Sequence, residues 1–130
     1  MEPSILISTK KILGVAESYR AFDLDILTHI NATFSVLSQL GIGPEDGFFI
    51  EDELAVWGDF SVVNNVVVVP PNQLALVRTY LFLKVRMLFD PPTTSFLIEA
   101  TKSQIEEIEW RLNVLREHAL PDPVEEVDEI

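Results

Sequence analysis

Apolar residues recur every three or four positions along much of the chain, which is the spacing of amphipathic α-helices. The clearest apolar stripe comprises Leu27, Ile30, Phe34 and Leu37. Asp23 is a suitable N-cap for this helix, and Gly41 is a suitable terminator. A shorter helix is predicted upstream, capped by Ser8, running through Leu13 and ended by Gly14.

The stretch 41–60 lacks this periodicity. It is punctuated by glycine and proline, so we predict a loop with one short helical turn near residues 52–57. The next segment, SVVNNVVVVPP, places β-branched residues on both sides of an Asn-Asn pair, which tolerates the left-handed backbone of a tight turn. This pattern predicts a β-hairpin around 61–69. Because an exposed Val66–Val69 edge would promote aggregation, we expect it to be paired, buried or covered by a neighbouring chain.

A long, strongly apolar helix is predicted after the Pro70-Pro71 pair. Asn72 is its expected cap, and Phe89 is its expected last residue. Asp90 precedes a proline and is therefore disfavoured in the α region, so the helix has to end there.

The last predicted helix covers about residues 95–118 and is capped by Thr93 or Thr94. Two heptad-spaced series mark its seam: Ile98, Ile105 and Leu112, and Thr101, Ile108 and Leu115. Glu107 and Arg111 stand four residues apart on the outer face, where such a pair contributes a few tenths of a kcal/mol, about 0.3–0.5.

Together these elements predict a mainly α fold, a small bundle of about four helices with a short β-hairpin around 61–69. The helical domain is expected to cover residues 1–119. Residues 120–130 contain two prolines and five acidic residues without a base, so we expect an extended acidic C-terminal tail.

The third predicted helix raises a question of assembly, because it is apolar on more than one face. Leu74, Val77, Leu81, Val85 and Leu88 share one side, and Leu76, Tyr80, Leu83 and Met87 lie elsewhere. Such a helix has to be covered on several sides, either by another subunit or by its own domain. The candidates for a subunit interface are Trp57, Tyr80, Met87, Phe89 and Phe96. For Trp57, as for Trp110, core packing is an equal alternative.

Composition narrows the class of function. The 130 residues are 48% hydrophobic and carry a net charge of −12, with nine scattered Lys and Arg residues. Both halves are acidic, so the clustered bases that bind nucleic-acid phosphates are missing, and direct DNA binding is not expected. No uncharged apolar run is long enough for a membrane span, and no signal peptide is recognisable. The absence of cysteine excludes disulfides and thiolate metal sites but does not determine the redox compartment. Synthesis in the cytoplasm is the default expectation.

No motif of an enzyme is present: there is no nucleophile elbow, phosphate-binding loop or metal-ligand spacing. His29 and His118 are expected to be structural, the second because a cation suits a helix C-terminus. A loop holds the acids Glu45, Asp46, Glu51, Asp52 and Glu53. These acids lack the spacing of a calcium loop, so a solvated loop is expected. We therefore expect no catalytic residue, no metal and no cofactor.

The segment RTYLFLKVRMLFDPPTTSFLIEATKSQIEEIEWRLNVLRE resembles the head-to-tail connector proteins of long-tailed bacteriophages, also called adaptors or head-completion proteins. The version here is similar to those of phages that infect actinobacteria. Upstream, ILISTKKILGVAESYRAFDLDILTHINATFSVLSQLGIGP is similar to the opening pair of helices in that family. The resemblance covers about residues 4–117, and its most specific part is the helix ending in LFDPP, followed by a polar cap and a helix carrying EWRLN.

The resemblance implies a structural, non-enzymatic role in the virion neck at the portal vertex. Such adaptors form a ring, usually of twelve subunits, that binds the portal protein, extends the DNA channel and docks the next neck or tail protein. DNA passes through without specific binding, and no membrane is involved. By the same resemblance the C-terminal segment engages the portal. Its candidate portal-binding residues are Pro121, Pro123, Val124, Glu125, Glu126, Val127, Asp128, Glu129 and Ile130.

A second interpretation comes from the charge alone. A small acidic protein can act as a DNA mimic, or as a helical inhibitor or interaction module, by occupying a basic enzyme surface. Mimics usually display their acids in regular rows. Here the acids concentrate in the loop 45–59, the last helix and the tail. The size of the protein in solution, with and without portal protein, distinguishes the two interpretations.

Overall fold

The computed structural model describes residues 3–119, with side chains up to residue 117, as five helices and one hairpin. The helices are α1 (Ile5–Leu13), α2 (Asp23–Gln39), α3 (Trp57–Ser61), α4 (Pro71–Phe89) and α5 (Ser95–Ala119). The strands are β1 (Val62–Val63) and β2 (Val66–Val67). The predicted mainly helical fold with a short hairpin is confirmed, and the additional helix is the short α3. The predicted tail at 120–130 lies outside the described residues.

Helix α1 begins one turn earlier than predicted. The hydroxyl oxygen of Ser4 accepts a hydrogen bond from the Ile7 N–H at 3.2 Å, so Ser4 is the N-cap. Ser8, the predicted cap, lies inside the helix and donates its hydroxyl to the Ser4 carbonyl at 2.7 Å. The earlier start brings Ile5 into the core, where it is fully buried. The helix ends as predicted at Gly14, whose φ of 79° is in the left-handed region that glycine adopts readily.

Helix α2 keeps the predicted apolar face but differs at its start. Asp23 is its first residue rather than its cap, and Phe22 at the cap position makes no side-chain hydrogen bond. The carboxylate of Asp23 still lies where a negative charge favours a helix N-terminus. The buried face comprises Ile26, Ile30, Thr33, Phe34 and Leu37, and Leu27 of the predicted stripe is half-buried. The helix ends at Gln39, two residues before Gly41.

The helical turn predicted near residues 52–57 lies further along the chain, as α3. Asp52 instead closes a non-helical turn, because its Oδ1 accepts the Leu54 N–H at 2.9 Å. Asp59 starts α3, where its Oδ2 accepts the Val56 N–H at 2.9 Å. Asp is a good residue for both arrangements, so the sequence did not distinguish them.

The hairpin forms at the predicted turn. Val62 pairs with Val67 and Val63 with Val66, and both turn residues, Asn64 and Asn65, have positive φ. Two successive left-handed residues give a turn whose twist matches that of the strands. Beyond the strands Val69 is buried at 1% exposure, whereas Val66 and Val67 stay exposed on the hairpin surface.

Helices α4 and α5 form an antiparallel pair, and α4 also packs against α1 and α2. The predicted cap of α4 at Asn72 is wrong, because the helix begins at Pro71, where proline's missing N–H has no cost.

For α5 the Oγ1 of Thr94 accepts the Leu97 N–H at 3.2 Å, which identifies the cap among the two predicted threonines. The seam of α5 is buried at Ile105, Ile108 and Leu112. Ile98, Thr101 and Leu115 of the same predicted series are half-buried. The Glu107–Arg111 ion pair is present at 3.3 Å.

The connection between α4 and α5 leads to a prediction about stability. Asp90 leaves the helical region with φ −148° and ψ 73°, and Pro91 and Pro92 follow it directly. Because proline restricts the unfolded chain, replacing both with Ala should lower the free energy of unfolding by about 1–2 kcal/mol. Circular dichroism should show nearly unchanged helical content in the folded fraction. A double variant as stable as the parent that no longer assembles would instead identify this turn as an interface.

Candidate assembly surfaces

The apolar surplus of α4 is covered by its own domain. Val77, Leu81 and Val85 are fully buried, and the single large apolar residue of α4 that is exposed is Leu88, at 52%. Helices α1, α2 and α5 provide this cover. Of the two explanations, cover by another subunit or by its own domain, the second therefore accounts for most of the apolar surface of α4. The apolar surface that a partner could cover combines a few residues of α4, such as Leu88, with residues of other elements.

The five predicted interface candidates are found in different environments. Tyr80 and Trp57 are buried, at 0% and 2% exposure, so both belong to the core in this conformation. Met87 and Phe89 are half-buried against the core. Phe96, at 79% exposure, lies on the surface. The predicted tail residues from Pro121 to Ile130 lie outside the described residues.

The connection between α4 and α5 is flanked by exposed apolar residues. We group Leu88, Phe96 and Leu97, which lie beside it along the chain, with Tyr19 and Phe22 as the connection patch. Ring contacts join Tyr19 and Phe22 to the end of α4, since Phe22 packs edge-to-face on Phe89 at a centroid distance of 5.3 Å and on Tyr19 at 5.4 Å. Several exposed large apolar residues close together are typical of a surface that another protein covers.

A second apolar surface lies at the other end of the same helix pair. It is a cleft between the first half of α4 and the second half of α5, with a volume of about 470 Å³. We call it the Trp110 groove; it is lined by Asn72, Leu76, Thr79, Trp110, Val114 and Leu115. Trp110 is 66% exposed, so of its two predicted environments the structure supports the surface rather than the core. The heptad pattern of α5 did not predict this groove, because the groove depends on where the surfaces of α4 and α5 cease to touch.

A buried cation fixes the loop between α1 and α2. Lys10 is 1% exposed, and its ammonium group contacts Asp23 Oδ1 at 2.8 Å. It also donates to the carbonyls of Glu17 at 3.0 Å and Tyr19 at 2.7 Å. The ammonium group thus donates two hydrogen bonds and makes one close ion-pair contact, and such partners are the condition for burying a charge of this kind. By holding the carbonyl of Tyr19, Lys10 positions one edge of the connection patch.

Asn31 fixes the glycine-rich loop in a similar way. Its amide nitrogen donates to the Ile50 carbonyl at 2.9 Å, and its Oδ1 accepts the Ile50 N–H at 2.8 Å. The pair of bonds satisfies both backbone groups of Ile50, which is 3% exposed. The sequence contained no signal that Asn31 binds a residue nineteen positions away.

Tyr80 links α4 to α5 by a hydrogen bond from its hydroxyl to Glu109 Oε2 at 2.6 Å. Burial, together with the hydrogen bond and the negative charge of Glu109, raises the pKa of the Tyr80 phenol well above its ordinary value. The neutral phenol is thus favoured in the folded state, whereas the unfolded chain ionises at a pH of about 10. The resulting stability is fully present below that pH and is lost as the pH rises above it.

Tyr80→Phe should therefore remove about 1 kcal/mol near neutral pH, through loss of the hydrogen bond. It should also weaken the fall in unfolding free energy as the pH is raised above about 10, measured by urea titration at several pH values. Tyr19→Phe is the matched control, since Tyr19 is half exposed, and should leave both quantities unchanged. Equal alkaline slopes for the parent and Tyr80→Phe would contradict the assigned role of this phenol.

The basic residues are mostly engaged within the fold. Lys10, Arg20 and Arg111 each form an ion pair with an acidic residue among those described. Arg86 donates to the Ile12 carbonyl at 2.6 Å, and Arg78 lies 5.4 Å from the centre of the Trp57 ring. The hydrogen bond and charge of Glu53, with a further contribution from Asp23, raise the pKa of the Arg20 guanidinium. The described bases that are engaged in this way are not free to bind a phosphate backbone.

The described part of the chain contains neither a metal-ligand cluster nor a membrane-spanning helix. Within residues 3–119 no group of three or more His, Asp or Glu residues is placed to hold a metal ion. His29 is half-buried in α2, and the side chain of His118 is outside the described set. No described helix has the length and hydropathy needed to cross a membrane.

The fold can be compared with known proteins. A family model described as phage connector protein matches residues 5–119, which includes all five helices and the hairpin. Neither the curated proteins nor the solved structures gave a match to this chain. Because the family match spans nearly the whole sequence, the chain belongs to the phage connector protein family and is a virion-associated structural connector.

Proposed function

We propose that this chain is the subunit of a ring at the junction of phage head and tail. The ring lies beneath the portal, lengthens the DNA channel and docks the next neck or tail protein. Twelve subunits are expected from the resemblance to head-to-tail adaptors. The observation that carries the proposal is the family match over residues 5–119. Neither catalytic residues nor a cofactor has a place in this role.

The distribution of apolar surface supports a ring. In a closed ring each subunit has two neighbours and meets them through two different surfaces. The connection patch and the Trp110 groove are two such surfaces at opposite ends of the α4–α5 pair. Each presents at least one exposed aromatic residue, Phe96 in the first and Trp110 in the second. Exposed aromatic residues in apolar surroundings are the residues that contribute most to protein interfaces.

The charge supports a passive role towards DNA. With a net charge of −12 and most bases engaged internally, the subunit offers few contacts to phosphates. DNA can then move through the channel without adhering to it. We expect negligible affinity for duplex DNA at physiological salt, measured by fluorescence anisotropy. Tight binding with a steep salt dependence would contradict the proposed channel.

The C-terminal tail, residues 120–130, is the proposed attachment to the portal. Pro121 and Pro123 disfavour a helix, and Val124, Val127 and Ile130 recur at three-residue spacing. These three residues would occupy apolar notches on the portal, while the neighbouring acids contact basic residues. Ordering the tail costs conformational entropy, so useful affinity would come from many copies that bind together around the ring.

Assembly with portal protein tests the proposal directly. Light scattering after size-exclusion chromatography should give a complex in which a ring of this chain joins the portal oligomer. Phe96→Asp, in the connection patch, should prevent that complex while the variant remains folded. Leu54→Asp is a suitable control, because Leu54 is equally exposed, at 80%, but lies outside both surfaces. A chain that never associates with portal protein, yet binds a basic DNA-processing enzyme, would favour the acidic mimic instead.

A further inference from the structure

The Trp110 groove extends beyond the α4–α5 cleft to the hairpin. A neighbouring depression of about 350 Å³ is lined by Val67, Val68 and Pro70, and it shares Asn72 and Leu115 with the groove. The two depressions therefore adjoin at Asn72 and Leu115, and we refer to them together as the channel from Trp110 to the exposed hairpin valines. Two polar groups line it, the Asn72 side-chain amide and the Trp110 indole N–H, and neither forms a hydrogen bond with another side chain or backbone group of residues 3–117.

The helix that borders this channel leads directly into the tail. Helix α5 ends at Ala119, only four residues after Leu115, so the tail begins about 6 Å along the helix axis from the channel. Trp110, at the far end, is nine residues back, or about 14 Å. Eleven residues follow Ala119 in the sequence, and in a polyproline II conformation they span about 34 Å. The tail is long enough to reverse direction and still cover the whole channel.

The tail also has a pattern that suits such a channel. Pro121, Val124, Val127 and Ile130 are each three residues apart. A polyproline II helix has three residues per turn, so these four side chains form one apolar stripe along it. Acids occupy the other two faces, with Asp122, Glu125 and Asp128 on one and Glu126 and Glu129 on the other. Grooves lined by aromatic side chains are the usual binding sites for polyproline II segments.

We propose that in the free subunit the tail folds back and occupies the Trp110 groove of its own chain as a polyproline II segment. Its apolar stripe lies on Trp110, Leu76 and Val114, and its backbone carbonyls accept hydrogen bonds from Asn72 and the Trp110 indole. Docking within one chain has a high effective concentration, on the order of millimolar, so even weak contacts suffice.

Charge is consistent with this arrangement. Arg111 lines the groove, and its ion pair with Glu107 is exposed, with 57% and 64% of the two side chains accessible. Exposed pairs of this kind contribute little to stability, about 0.2–1 kcal/mol. Arg111 can therefore exchange Glu107 for a tail carboxylate at small cost. The acidic faces of the docked tail remain in water, where their charge keeps free subunits apart.

The docked tail would cover the exposed hairpin valines and Trp110 until assembly. If the tail also binds the portal, as proposed above, then attachment to the portal withdraws it from the groove and uncovers that surface for the neighbouring subunit. This consequence rests on the proposed function, whereas docking of the tail in the free subunit does not. The two are separated by experiments on the isolated chain, without portal protein.

Trp110 reports on its own groove. Because the chain has two tryptophans, the fluorescence of Trp110 is the difference between the full chain and Trp110→Phe. Trp57 is buried and is therefore shielded from a quencher in both proteins. The acrylamide quenching constant of Trp110 should be at least about twofold smaller in the full chain than in a chain truncated after Ala119. A synthetic peptide of residues 120–130 should restore the protection to the truncated chain in a saturable manner. Equal quenching in the full and truncated chains overturns the proposal.

Two variants test which features matter. Replacing Val124, Val127 and Ile130 with Ser should expose Trp110 as fully as truncation does, because the apolar stripe is lost while length and charge are kept. Ala75→Arg narrows the groove at an exposed position and should abolish the effect of the tail on quenching. Ala32→Arg, the same change at an exposed position of α2, should leave the effect intact. Persistence of the tail effect in Ala75→Arg would place the tail elsewhere.

Analytical ultracentrifugation shows whether the tail that occupies the groove belongs to the same chain or to a second copy. Protection of Trp110 in a monomer, independent of protein concentration, is expected if the tail docks on its own chain. Protection that appears only as dimers or larger species form would assign the groove to the tail of a second copy and overturn the proposal.

Discussion

Replacing Leu112 with Asp is expected to lower the free energy of unfolding by about 3–5 kcal/mol. Leu112 is fully buried and lies in the seam by which α5 packs on α4. The substitution leaves a void where the leucine was and places a carboxylate among apolar side chains. Losses of this size are a large fraction of the stability of a small domain. Chemical denaturation followed by circular dichroism measures the effect.

Leu97→Asp is the matched control for this prediction. It makes the same change on the same helix, but Leu97 is 49% exposed and lies near the N-terminus of α5, where a negative charge is tolerated. We expect a change within about 0.5 kcal/mol. If Leu112→Asp melts at the temperature of the parent, the seam of α5 has been assigned to the wrong face.

Deleting residues 120–130 is expected to leave the domain folded but to abolish the production of infectious particles. The family match ends at residue 119, so it covers the helical domain and none of the tail. The loss should appear after DNA packaging, as heads that fill with DNA but then leak it or fail to join tails. Electron microscopy of lysates and complementation by the full chain measure it.

A tail of the same length rich in glycine and serine provides the control for this deletion. It should behave like the deletion, because it lacks the apolar stripe and the acids that are proposed to bind the portal. If the truncated chain still binds portals and supports infection, the tail is not the attachment element. The contact would then lie on the helical body, and the exposed region around residues 89–96 would be the first candidate.

The periodicity of apolar residues predicted the type of every long element. The seam of α5 and the stripe of α2 are set by contacts along single helices, and these repeat every three or four residues. The Asn-Asn turn was equally readable, because few residue pairs accept two left-handed conformations. The starts of α1, α2 and α4 were less predictable. Several nearby residues could cap each helix, and packing of the first apolar residues decides among them.

Features that depend on distant residues were not predictable. Lys10 is buried because carbonyls from the 14–22 loop and the carboxylate of Asp23 converge on it, and nothing in the local sequence marks that convergence. The same holds for the contact of Asn31 with Ile50. The composition of α4 correctly indicated that several neighbours cover it, but composition does not distinguish neighbours in the same chain from those in another. The two apolar surfaces proposed for assembly accordingly lie at the ends of the α4–α5 pair, where residues of both helices contribute.

The most direct test of the proposed ring is a density map of intact virions at side-chain resolution around the portal vertex. We expect the five helices to fit a ring of repeated density beneath the portal, with Trp110 and Phe96 at contacts between neighbouring subunits. The tail should reach the portal in the same map. Neck density that no arrangement of α1–α5 fits, in particles known to contain the chain, would contradict the account.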